Sequence, residues 1–343
     1  MGRRSRPPDG RGDPSRRGGA APPPVRPRQR GTDRPVNRRP VNDRARTRTR
    51  TRRRWRERGL AFTLLLPSLL VFGVFVFYPF ARTFWLGFFE TDPFGGRRTF
   101  VGLDQYTDTL TSSSFRNSLW VTLKFTLLTV PTGLALGLGL AILAHQKLRG
   151  MGFYRTVFSS TVATSVAVAS LMFISLLSPS VGLINQAIRW FGGEPIFFLQ
   201  SPGWALVAIS AVTVWQNLGI IFIVTSAGLQ SLPDDLYESA RLDGASAWSR
   251  FVDITVPLLS PTLLFGFVVL TITSFQTFGQ VDLLTNGGPL EATNLIVFSI
   301  FETAFRDFNP GSAAAQAVVL FFIVLVLTAV QFKILERRVF YGR

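Results

Sequence analysis

Six apolar runs, each about twenty residues long, decide most of what this chain can become. They lie at approximately 60–80, 118–144, 156–178, 204–228, 258–281 and 312–333 of the 343 residues. A helix of that length spans the ~30 Å hydrocarbon core of a bilayer. Inside lipid every backbone N–H and C=O must be paired within the protein, which leaves helices or a closed barrel. The apolar–polar alternation of barrel strands is absent, so the expectation is an all-α integral membrane protein with six transmembrane helices. Pro67, Pro131 and Pro261 fall in or beside the runs, where a helix start or a kink accommodates them. Gly133 and Gly137, in "GLALG", have the spacing that lets two helices approach closely.

Charge sets the expected orientation. Residues 1–58 hold 21 of the 37 Lys and Arg, all Arg, against five acids, while the rest of the chain is nearly neutral. This Arg/Pro-rich stretch has too little apolar surface to offset its ordering entropy, so residues 1–58 are expected to be a disordered tail and 59–343 the six-helix domain. With so long a charged region before the first run, no signal peptide is expected. An arm for nucleic acid or anionic lipid and a solvated extension that fixes topology both fit its composition. The second is preferred, because no aromatic interleaving supports base recognition, and nucleic acid is not an expected partner. With the N-terminus inside, the inner segments carry 30 cations and the outer loops six. Both termini are therefore expected to be cytoplasmic in a multi-pass membrane protein. Lys124 lies inside the second run, where it either lines a solute path or snorkels to the outer headgroups; snorkelling is preferred.

The chain has no Cys and a single His, His145. That removes disulfides, thiolate metal sites, His-rich metal binding and most His-based acid–base pairings, so the usual constellations of a membrane enzyme are missing, though a carboxylate-only site stays open. No G-x-x-x-x-G-K-[ST] phosphate loop is present. A self-contained secondary transporter or channel is the alternative reading; it calls for repeated halves with broken helices, and no repeat is visible.

Between the fourth and fifth runs lies "SLPDDLYESARLDGASAWSRFVDITVPLLSPT", Ser231–Thr262, with five acids against two Arg. Ser231 is an expected N-cap with Asp234 three residues on, and Pro233 fits a first turn. Asp234 and Asp235 favour the positive end of the helix dipole. Leu232, Leu236 and Ala240, with Tyr237 alongside, form one apolar stripe, and Gly244 is placed to end the helix in a left-handed conformation. A second short helix should then lead to Pro257. A three-turn helix is marginal alone in water and needs a surface to pack on, its own protein or a partner.

The segment's spacing resembles the EAA loop of binding-protein-dependent ABC importer permeases: E-A-A, three residues, G, nine residues, I-x-L-P. Here it reads Glu238, Ser239, Ala240, Gly244, Ile254 and Pro257, with Ser239 replacing an Ala and Val256 a Leu. "YRTVFSSTVATSVAVASLMFISLL", "TNGGPLEATNLIVFSIFETAF" and "GSAAAQAVVLFFIVLVLTAVQF" resemble the same family, and the last two its carbohydrate-uptake branch, especially sn-glycerol-3-phosphate importer permeases. The resemblance implies a type I ABC importer permease (MetI-like) fold and a non-catalytic subunit with the EAA loop at 231–257. It further implies a second permease subunit as heterodimer partner, two ATP-binding subunits that hold ATP and Mg, and an extracytoplasmic solute-binding protein. Glu238 would make polar contacts with the ATPase groove, Ser239 and Ala240 would allow close approach, and Gly244 would permit the seating turn.

For the solute path the residues offer Trp215, Gln216 and Asn217 in the fourth run. In the fifth they offer Gln276 and Gln280, expected one helical turn apart, with Phe275 and Phe278 nearby. Amides and aromatic faces suit polyol or sugar hydroxyls; the plainer reading is hydrogen bonding between helices. No intramembrane Arg pair stands out for a phosphate.

Overall fold

The computed structural model describes residues 62–91, 98–146 and 150–335; the Arg-rich tail lies outside them. Among the described residues, those from Ser68 onward make their contacts as one unit. In chain order come α1 (Phe62–Leu86), a hairpin of β1 (Phe89–Thr91) and β2 (Arg98–Phe100), and α2 (Asp104–Thr111). Next are α3 (Ser113–His145), α4 (Met151–Ala163), α5 (Val166–Leu177) and α6 (Leu183–Trp190). Then follow α7 (Pro202–Gln230), α8 (Asp234–Leu242), α9 (Ala247–Phe275) and α10 (Gly279–Leu284). The chain closes with α11 (Ile296–Phe301) and α12 (Pro310–Leu335). The strands are antiparallel, pairing Phe89 with Phe100, Glu90 with Thr99 and Thr91 with Arg98.

Five helices, α1, α3, α7, α9 and α12, are long and apolar enough to cross a bilayer; α4 and α5, bent by 107° at their break, pass that test only together and make a sixth crossing when the pair is one span. That bend corrects the straight third helix expected at 156–178. Its cause is the polar run "SSTVATS". Ser159 and Ser160 hydroxyls donate to the Arg155 and Val157 carbonyls, Thr164 turns extended at φ −85°, ψ 125°, and Ser165 Oγ caps α5 by accepting from Val168 N–H at 3.3 Å. Local hydroxyl-to-backbone bonds of this kind compete with a continuing helix.

The fifth crossing also departs from expectation. The helix starts at Ala247, so the expected short helix before Pro257 is fused to it through a π-helical turn at Phe251–Thr255. It stops at Phe275 rather than 281, with Gln276 at φ −100°, ψ 6° and Phe278 at φ −132°, ψ −60°. Gln276 and Gln280 are therefore not one turn apart on one helix. Pro261 inside α9 withholds an N–H from the Pro257 carbonyl, which Ser260 Oγ engages at 2.6 Å.

Three apolar clusters fix how the crossings run. Val121 and Phe125 of α3 meet Ile209 and Val212 of α7 and Val281 and Leu284 of α10. Val130, Ile221 and Leu270 form the middle group. Ala141 and Ala144 meet Phe222, Leu229 and Leu259 at the other end. Residue numbers rise together on α3 and α7 and fall on α9, so the first two are parallel and α9 runs against them, as alternating crossings require. Between lipid-embedded helices the attraction is packing and hydrogen bonding rather than water release. Gly137 supplies the closest approach, since a Cβ there would collide with Ile221 of α7, while Gly133 faces Leu270 at 3.4 Å. Polar ties join neighbours: Thr129 Oγ1 to Ser274 Oγ at 2.9 Å and Gln331 Nε2 to Thr271 Oγ1 at 3.0 Å.

Candidate functional site

Both helix breaks open onto one cavity of about 490 Å³, lined by Thr161, Val162, Thr164 and Val166 at the α4–α5 bend, Thr213, Gln216, Asn217 and Ile220 of α7, and Thr273 and Gln276–Gln280 at the end of α9 and start of α10. Asn217 lies midway along the 29-residue α7, with about 20 Å of helix on either side. Irregular backbone at such depth is tolerated where it is buried in protein or lines a polar cavity.

Side chains from three elements are tied together across this space. Gln280 Nε2 donates to Gln216 Oε1 at 2.9 Å, and Gln216 Nε2 donates to the Thr164 carbonyl at 3.3 Å, left free by the bend. Thr161 Oγ1 accepts from Gly219 N–H at 2.9 Å. Asn217 Nδ2 donates to the Thr213 carbonyl at 3.0 Å, while the buried Thr213 hydroxyl has no partner. None of the fourteen lining residues is ionisable. The cavity can therefore offer amides, hydroxyls and one aromatic ring, Phe278, but no fixed charge.

Of the residues singled out in the sequence, Gln216, Asn217, Gln276, Phe278 and Gln280 are brought together here. Two are not. Trp215 turns away and packs edge-on against Phe173 of α5, with ring centroids 5.4 Å apart, and Phe275 is buried at 3% exposure. Thr161, Thr164, Thr273 and Thr277 were missed; the Ser/Thr cluster inside the third apolar run was the signal for the first two. Lys124 stays outside the cavity, its ammonium 5.3 Å from the ring centre of Trp120, one turn toward the nearer end of α3. That is a snorkelling geometry.

At the end of α7, Ser231 Oγ donates back to the Gly228 carbonyl at 2.7 Å. Ser231 therefore closes α7 instead of capping α8, whose first residue follows Pro233 with no side-chain cap. The α8 terminus matches expectation: Gly244 has φ +77°, its N–H bonds the Arg241 carbonyl at 3.1 Å, and Ala245 N–H bonds the Ala240 carbonyl at 2.9 Å. This is the Schellman arrangement, which needs a residue free to adopt positive φ. Tyr237 OH and Thr255 Oγ1 lie 2.9 Å apart and hold α8 to α9. Glu238 and Ser239 are exposed, Ala240, Ile254 and Pro257 half-buried. Leu242 and Trp248 stand out at 89% and 71% exposure. Behind α8 a second cavity, of about 570 Å³, gathers His145, Asp234, Tyr237, Glu238, Arg241 and Arg250. Among the described residues no group of three or more His, Asp or Glu is placed to hold a metal.

The described residues thus form a polytopic helical protein with a cavity lined by amides and hydroxyls at mid-depth and a short exposed helix, α8, at one end of the crossings, an arrangement that fits a membrane transport subunit. Residues 133–341 match the family described as binding-protein-dependent transport system inner membrane component. The chain is 36% identical over 286 residues to the sn-glycerol-3-phosphate transport system permease protein UgpA of Agrobacterium fabrum, covering 82% of this chain and 97% of that protein. It is 35% identical to the protein of the same name from Escherichia coli (strain UTI89 / UPEC), covering 84% and 97%. Its fold superposes with TM-score 0.73, at 22% identity and over 84% and 99% of the two chains, on a chain of a bacterial ABC transporter involved in the import of the acidic polysaccharide alginate. The chain belongs to the family of binding-protein-dependent transport system inner membrane components: it is a multi-pass inner-membrane permease subunit of the MetI-like fold. Broken helices alone would equally have suited a self-contained secondary transporter; the family match removes that alternative.

Proposed function

We propose that this subunit forms half of the translocation path of an ATP-driven importer for a polyhydroxyl solute, and that α8 receives the motion of an ATPase subunit. One observation carries the solute reading: the mid-depth cavity is polar yet without charge. A site that presents amide and hydroxyl groups discriminates strongly for ligands that can pair with them. A sugar, a polyol or the glycerol part of a glycerol phosphate fits that lining. A phosphate would find no cation there, so its selection would rest with the extracytoplasmic binding protein. Gln216, Asn217, Gln276 and Gln280 are the proposed solute contacts.

The relatives named for glycerol phosphate uptake support this solute class. The EAA spacing supports the coupling part, with Glu238, Ser239, Ala240 and Gly244 at the docking surface. The assembly would hold a second permease, two ATPase subunits binding ATP and Mg, and the binding protein; this chain itself would be non-catalytic. The Arg-rich tail and the charge count support both termini facing the cytoplasm, with α8 on that side.

The test is solute uptake by the assembled complex carrying Gln216→Ala or Gln280→Ala. Each removes one neutral hydrogen-bonding group, worth ~0.5–1.5 kcal/mol, so half-saturation should rise or the rate fall by roughly two- to tenfold. Unchanged kinetics in both variants would remove these residues from the path.

A further inference from the structure

The segment joining α5 to α7 carries an unusually apolar exposed surface on an ordered frame. Asn185 of α6 is fully buried. Its Nδ2 reaches the Leu177, Ser178 and Ile196 carbonyls at 3.4, 3.3 and 3.0 Å, and its Oδ1 accepts from Ile196 N–H at 2.7 Å. One side chain thus ties the end of α5 to the chain beyond α6. The Arg189 guanidinium is turned back to the Ser180 carbonyl at 2.8 Å. α6 closes with Gly192 at φ +79° and the paired Gly192 and Gly193 N–H bonds to Arg189 and Ile188. On this frame Val181, Leu183, Trp190 and Phe191 are 68%, 65%, 87% and 87% exposed.

We propose that α6 lies in the headgroup layer of the bilayer, on the face opposite α8, with Leu183, Trp190 and Phe191 in the acyl boundary. The arguments are position and continuity with the lipid-facing surface of the crossings. Crossings alternate, so the ends of α1 and α5 and the starts of α3 and α7 share one face. Within about two turns of those ends stand Trp85, Trp120 and Trp204, exposed at 65%, 53% and 45%. Tryptophan on lipid-facing surface collects at the membrane–water boundary, and Lys124 reaching up to Trp120 marks the same level. Trp190 extends this band. The lipid-facing side of α5 carries Val168, Leu171 and Met172, exposed at 60%, 62% and 45%, so an apolar surface continues from the crossing to the segment. An eight-residue helix that starts within six residues of the end of α5, and is tied back to that end through Asn185, has little reach into bulk water. A soluble binding protein docks intermittently and would leave this aromatic face wet between encounters, whereas lipid covers it permanently.

The absence of cysteine makes the test direct. Leu183→Cys, Trp190→Cys and Phe191→Cys are spin-labelled one at a time in the full chain, with Glu194→Cys as the water-facing reference, and reconstituted into liposomes. Collision rates with oxygen and with a neutral nickel chelate report lipid and water contact. The expected result is an oxygen-to-nickel ratio several-fold higher at 183, 190 and 191 than at 194, unchanged when the binding protein is added. Three labelled positions guard against one variant failing to insert. A ratio equal to that at 194 overturns the proposal. So does nickel access that disappears only on adding the binding protein, which would assign the face to that partner. Neither outcome depends on the solute reading, since the readout does not involve uptake.

Discussion

At Gly244 the requirement is conformational and not steric: φ is +77° and no atom lies within 4 Å of where a Cβ would stand. A non-glycine residue held there costs ~1–2 kcal/mol, less for Asn, which visits that region more readily. Gly244→Ala should therefore insert and assemble normally yet lose most solute-stimulated ATP hydrolysis, while Gly244→Asn keeps more of it; Gly244→Asp, which adopts that φ as readily as Asn but adds a charge beside Asp243, should lose as much as Gly244→Ala. Glu238→Lys, which reverses an exposed charge on the same helix, should behave like Gly244→Asp. ATPase measurements on reconstituted complexes decide this, and full stimulation in all four variants would separate α8 from coupling. Gly244 was legible in the sequence because an αL terminus has a composition signature. Ser231 was misread because the same hydroxyl chemistry serves the end of one helix and the start of the next. Trp215 and Phe275 were singled out for lying beside polar residues, but successive helix residues point about 100° apart and do not share a face.

Among the elements, the contact of α3 with α7 shows what a spacing motif can and cannot say. "GLALG" signalled close packing, but nothing local named Ile221 as the residue that fills the gap at Gly137. Gly137→Leu should overpack that contact and cost ~1–3 kcal/mol. The prediction is a lower melting temperature in detergent and less protein recovered from membranes. Gly139→Leu, where no atom lies within 4 Å, should leave both near wild type. Equal losses in the two variants would mean that leucine disturbs α3 itself rather than its contact with α7. The third crossing was hidden for a related reason. Hydropathy averages over Ser and Thr, so a window that tests for length and apolarity passes over hydroxyls able to end one helix and cap the next.

For the whole molecule, the long crossings could be read from apolar run lengths alone, because bilayer thickness admits few other solutions. The cavity could not. Its amides were visible as polar residues in apolar runs, but their meeting depends on two helix breaks and on the packing of α4, α7 and α9 against one another. The break after α9 joins the two halves of the proposed mechanism: α8 leads through Gly244 into α9, and α9 ends at the cavity, so one helix links the proposed docking surface to the proposed solute contacts. Under that proposal, displacement of α8 by an ATPase would be passed along α9 to Gln276, at its end. The most direct test is uptake of a radiolabelled neutral polyol or sugar, chosen as a ligand of the binding protein, into proteoliposomes holding the full complex, with ATP enclosed or omitted. The account predicts accumulation only with ATP, abolished by Gly244→Asp in complexes of unchanged composition. Accumulation without ATP, or undiminished by that substitution, would contradict it.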